Sequence, residues 1–106
     1  MRVLCFTLLF LAACAPALPS VTDSDRAWAQ QAFPETQDDL DASRGLYAQK
    51  CSGCHMLVIP TRIPQAEWPQ VVEKMAPKAK LEGIDSARIL RYVLTASRPG
   101  QPPPSP

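Results

Sequence analysis

One histidine, His55, serves a chain of 106 residues. Two imidazoles of this chain therefore cannot share one metal ion. No second histidine or paired carboxylate is placed to act as acid and base, so nothing here suggests substrate chemistry. An excess of charge is also missing: 11 Lys and Arg stand against 10 Asp and Glu. That is far from the balance of a nucleic-acid-binding protein. No segment alternates with the period of a strand, and no internal repeat is present. The apolar run from Val3 to Ala13 is too short to span a bilayer as a stable helix.

That run does have another use. Arg2 precedes it and Cys14 ends it, in the order of a secretory signal. The junction "LAAC" resembles the lipobox of bacterial lipoproteins, which implies removal of residues 1–13 and a lipid on Cys14. An ordinary signal cut nearby would instead discard Cys14 or leave it free. Cys5 is lost with the signal either way, which leaves Cys14, Cys51 and Cys54 of the four cysteines. The expected place is the periplasm, lipid-anchored to a membrane. Ala15 follows the cysteine where aspartate would signal retention at the inner membrane, so the outer membrane is favoured.

Charge is segregated along the chain. Acids dominate between Ala15 and Leu40, whereas the stretch from Asp41 to Ser97 is mildly basic. Residues 14–40 are rich in Pro, Ser and acids and read as a flexible tether. A short helix capped by Asp23 or Ser24 is possible there, with Trp28 and Phe33 making a local contact with the domain rather than a binding site. The ending "RPGQPPPSP", residues 98–106, reads as a disordered tail, with a proline-rich partner ligand as the alternative.

Residues 41–97 form the expected domain, with three helices. The first runs from about Asp41, its N-cap, to Lys50. The second runs from about Ala66 to Ala76, with Pro69 tolerated in its first turn. The third runs from about Ser86 to Ser97. Asp85 caps it, Ile84 and Ile89 form a staple, and Ile89, Leu90, Val93 and Leu94 form the apolar stripe. The expected class is all-α, with about three helices around one covalently bound group. A domain of about 57 residues rarely buries enough apolar surface by itself.

Lys50 to Leu57 reads "KCSGCHML". C-x-x-C-H is the signature for attaching c-type haem. Two thiols add across two vinyl groups on one porphyrin edge, and one helical turn reaches both. The histidine next in line then lies under the iron. Structural zinc usually needs four ligands, and no further histidine or cysteine pair exists here. A thioredoxin-like dithiol wants a βαβ setting, and no strand is expected. A plain disulfide gives His55 no reason. One covalent haem c on Cys51, Cys54 and His55 is the reading that uses every residue.

"SRGLYAQKCSGCH" resembles the first helix and haem motif of the class I cytochromes c of bacteria, and "ILRYVL" resembles their last helix. The resemblance covers nearly all of residues 41–97. It implies that the two terminal helices cross with an aromatic from each at the contact, here Tyr47 and Tyr92. The family usually has glycine four residues before the first aromatic. This chain has Ser43 there and Gly45 nearby, which implies a looser crossing.

The iron's sixth ligand is then Met56, Met75, a lysine or none. Met56 follows His55 directly, so its sulfur should not reach the far face. Trp68, Val71, Val72 and Met75 fall on one helical face that suits the distal side of the haem. "EWPQVVEKM" also resembles the short bacterial cytochromes c in which W-x6-M supplies the distal methionine. This implies Met75 as ligand; Met75 as mere core filling is the plain alternative. Trp68 reads as haem packing rather than chemistry, with a bond from its indole N–H to a propionate as the minor alternative. Pro60 or Pro64 would offer a carbonyl to the proximal imidazole.

The function expected is electron transfer, not enzymatic turnover. Partners would be redox proteins (a dehydrogenase, an oxidase or another cytochrome), and Lys50, Lys74, Lys78 and Lys80 would ring the haem edge. The alternative is a haem module with an open distal site for a small gas, which requires Met75 to be unbound.

Overall fold

The computed structural model describes residues 18–36, 39–52 and 57–100. Among them are four α-helices and no strand: α1 (Asp23–Ala32), α2 (Leu40–Cys51), α3 (Trp68–Met75) and α4 (Ile84–Ala96). Two 3-10 turns, Pro60–Arg62 and Gln65–Glu67, lead into α3. The chain is all-α, as its periodicity implied. No described helix is long and apolar enough to cross a membrane.

The helix boundaries follow caps that the sequence reading partly misplaced. Thr22, not Asp23 or Ser24, caps α1: its hydroxyl accepts from the Asp25 amide, and the Asp25 carboxylate accepts from the Thr22 amide. That reciprocal pair satisfies two otherwise orphan donors. Asp39, not Asp41, caps α2 through the Asp41 amide, so the helix starts one turn position earlier at Leu40, which is buried. α3 starts later than expected, because Pro69 needs the first turn and residues 65–67 are taken by the tighter 3-10 turn. α4 begins after Gly83, not after Asp85, and no side chain caps it. Ile84 is 57% exposed, so the expected staple with Ile89 does not form.

The core lies where α2, α3 and α4 meet. Tyr47 of α2 packs against Tyr92 of α4 with ring centroids 5.8 Å apart, the helix-crossing contact that the resemblance implied. Tyr47 also meets Trp68 of α3 edge-on at 6.1 Å. Ile89 and Val93 of the predicted stripe are fully buried, and Leu90 and Leu94 pack against them. Ser43 is buried on α2, whereas a Cβ on Gly45 would meet nothing within 4 Å. Gly45 therefore has no part in a close helix approach.

The described part of the expected tether is folded onto the domain. Leu18 and Ala29 are buried in the core cluster, and α1 packs on α4. Arg44 of α2 donates to the Leu18 carbonyl at 2.9 Å and to the Pro19 carbonyl at 3.0 Å. The Tyr92 hydroxyl donates to the Pro19 carbonyl at 3.2 Å. Arg98 pairs with the buried Asp25 at 2.6 Å and lies over the Trp28 ring. Trp28 packs against the core cluster, the contact with the domain expected of it, and meets Phe33 edge-on at 6.1 Å. Asp25 of this segment thus meets Arg98 from the other end of the chain, and Arg26 meets Asp41 of α2, pairings that composition alone does not reveal.

Candidate haem site

An apolar cleft opens between α2, α3 and α4. It holds about 720 Å³ of empty space, its open mouth included. Tyr47, Lys50 and Cys51 form the α2 side. Val58 and Ile63 come from the segment after the haem motif. The α3 wall is Trp68, Val71, Val72 and Met75, all four residues of the predicted face. Ile89 of α4 and the turn residues Lys78, Ala79 and Leu81 complete the lining.

Each wall has a local cause. α3 is short, but its apolar residues recur at helical spacing, so one face is apolar over its whole length. Trp68 and Val72 are buried at its base, while Val71 and Met75 are half-buried nearer the opening. Cys51 is the last residue of α2, which brings its thiol to the cleft, half-buried. Burial pushes that thiol above the usual cysteine range. Burial likewise pushes the Tyr47 hydroxyl far above the usual phenol range, so it stays a proton donor.

Gly53, Cys54, His55 and Met56 lie outside the described residues, as does Cys14. The expected separation across the iron between His55 and Met75 therefore has no described counterpart. The residues on either side of the motif are described. Cys51 and Val58 both line the cleft, so described residues on either side of His55 border it. An apolar slot with a thiol in its lining and a thioether on its α3 wall suits a flat macrocycle attached through cysteine. The residues present fit a c-type haem.

Two hydrogen bonds that sequence reasoning missed hold the returning segment. The Tyr47 hydroxyl donates to the Val58 carbonyl. The buried Trp68 indole N–H donates to the Pro60 carbonyl at 3.0 Å. The second bond corrects the idea that this N–H could reach a propionate, because its one donor is used. The Pro60 carbonyl also accepts from the Ile63 amide at 3.3 Å, which occupies both of its lone pairs. The Pro64 carbonyl accepts from the Glu67 amide at 2.9 Å. Of the four lysines expected at the haem edge, Lys50 and Lys78 line the cleft; Lys74 and Lys80 are exposed but do not.

The family model described as dihaem cytochrome c matches residues 47–103, more than half of the chain. No curated protein matches, and no solved structure matches. The matched segment starts at Tyr47 and takes in the C-x-x-C-H motif, α3 and α4, so it spans most of the cleft. The match is to a dihaem family rather than to the class I group of the resemblance, although the sequence carries one C-x-x-C-H and one histidine. The chain belongs to the dihaem cytochrome c family and is a c-type cytochrome.

Proposed function

We propose that this chain is a single-haem electron carrier, with His55 and Met75 as the iron ligands. The observation that carries the reading is the shared cleft: Cys51 and Val58, which bracket the histidine, line the same apolar space as Met75. The sequence supplies one attachment motif, hence one haem per chain. A haem iron with histidine and methionine ligands has no open position and changes oxidation state with little movement, at a potential raised by the thioether.

The chain's own residues then have distinct tasks. Cys51 and Cys54 hold the group by covalent bonds. Val71, Val72 and Ile89 exclude water from its faces. The Pro64 carbonyl is the better candidate to accept the imidazole N–H of His55, because it has one bond, to the Glu67 amide, whereas both Pro60 lone pairs are engaged. Lys50 and Lys78 sit at the cleft and favour an acidic redox partner. The sequence around Cys14 supports a lipid anchor and a periplasmic location, with the outer membrane favoured.

Met75→Ala tests the assignment. The variant is expected to keep covalent haem, lose the methionine–iron charge-transfer band of the oxidised protein and bind carbon monoxide when reduced. Its potential is expected to fall. A wild-type protein that already binds carbon monoxide and lacks that band would replace this reading with the open-site module for a small gas.

A further inference from the structure

We propose that Tyr47 and Trp68 act together as a positioning pair for the proximal histidine. The inference rests on the reading of His55 as the iron's proximal ligand, but the grip itself is visible in the described residues. Tyr47 comes from α2 and Trp68 from α3, and their rings meet edge-on at 6.1 Å. Each uses its single polar hydrogen on a backbone carbonyl of the same short segment, Tyr47 on Val58 and Trp68 on Pro60.

The segment they hold begins to turn only at Pro60, where the first 3-10 turn starts; the Ile59 carbonyl accepts from the Arg62 amide of that turn, whereas the Val58 carbonyl has no partner in it. An extended segment beside a cofactor cleft would move unless its carbonyls were tied down. Val58 lies three residues after His55 and Pro60 five, so on this proposal the two bonds restrain the backbone that leads away from the histidine. Both donors are buried, Tyr47 to 3% and Trp68 to 2% exposure. In such surroundings a satisfied carbonyl bond is held firmly, and an unpaired one is costly. Tyr47 and Trp68 also line the cleft. The same two side chains therefore shape the pocket and fix the segment that leaves the motif.

The test compares Tyr47→Phe and Trp68→Phe with Tyr92→Phe in the full-length, haem-loaded protein. Tyr92→Phe also removes a buried hydroxyl bond, but to Pro19 rather than to the held segment. Three measurements are made: amide exchange of Arg62 and Ile63, the proton resonances of the proximal imidazole, and the reduction potential. The Arg62 and Ile63 amides bond to the Ile59 and Pro60 carbonyls, so they report the turn directly. Tyr47→Phe and Trp68→Phe are expected to speed their exchange about fivefold, the effect of losing one ordinary hydrogen bond. Both are expected to shift the imidazole resonances and the potential, whereas Tyr92→Phe leaves all three unchanged. If Tyr47→Phe, the isosteric variant, behaves like Tyr92→Phe, the positioning role is refuted even if Trp68→Phe fails to fold. A wild-type chain without covalent haem would instead overturn the underlying reading, and the exchange data would still report on the grip.

Discussion

Two glycines show how far a single residue's effect depends on its backbone. Gly83 precedes α4 with φ 49° and ψ −115°, a conformation that side chains with a Cβ rarely adopt. Nothing lies within 4 Å of a Cβ placed there, so any cost of substitution comes from the backbone alone. Gly83→Ala is expected to destabilise the protein by about 1–3 kcal/mol. Gly45 sits in α2, where a Cβ also meets open space but the backbone is helical. Gly45→Ala is expected to stabilise by about 0.5–1 kcal/mol, because glycine is a poor helix former. Thermal melts of the two variants should move in opposite directions; a parallel shift would show that a contact, not the backbone, governs one of them.

At the scale of the elements, the crossing of α2 and α4 is an aromatic contact with two buried phenols. Burial raises the Tyr92 hydroxyl from its ordinary value of 10.0 to about 12 and raises Tyr47 further. Below pH 10 the folded and unfolded chains both keep these protons, so the contribution is fully present. Above pH 10 the unfolded chain releases them while the folded one does not. Stability should therefore fall by about 1.4 kcal/mol per pH unit for each tyrosine, until the folded groups themselves titrate. Denaturant unfolding at a series of pH values between 9 and 11 would measure this. The double variant Tyr47→Phe, Tyr92→Phe should lose that part of the slope, and an unchanged slope would remove the two tyrosines as its source.

For the whole molecule, the seating of Leu18 and α1 changes how an anchored protein would move. On the proposal that Cys14 carries lipid, only four residue steps separate it from buried Leu18, a span of at most about 14 Å. The domain would then sit close to the bilayer instead of swinging on a tether that reaches to Leu40. Cys14→Ser should move the protein out of the membrane fraction. Trypsin should spare the bond after Arg26, since α1 is folded and Arg26 is paired with Asp23 and Asp41. Early cleavage there would show that α1 stands free of the domain.

Features whose physics is local could be read from the residues alone. The attachment chemistry rests on five consecutive residues, Cys51 to His55, so haem could be read without a fold. The all-α class and the faces of α3 and α4 rest on helical spacing, and these faces do line the cleft and core. Helix starts were less legible, because Thr22 and Asp39 compete with nearby Asp23, Ser24 and Asp41 as caps and only backbone geometry decides. The tertiary structure alone decided what depends on distant pairs. Asp25 meets Arg98, and Tyr92 meets Pro19, each across 73 positions. Those pairs turn an acidic, proline-containing leader into part of the domain. Likewise Tyr47 and Trp68 read as core aromatics from their sequence, and only the fold brings each polar tip onto the backbone leaving the haem motif. No local pattern encodes such a meeting, because a buried donor takes whichever carbonyl the packing of three helices puts within its reach.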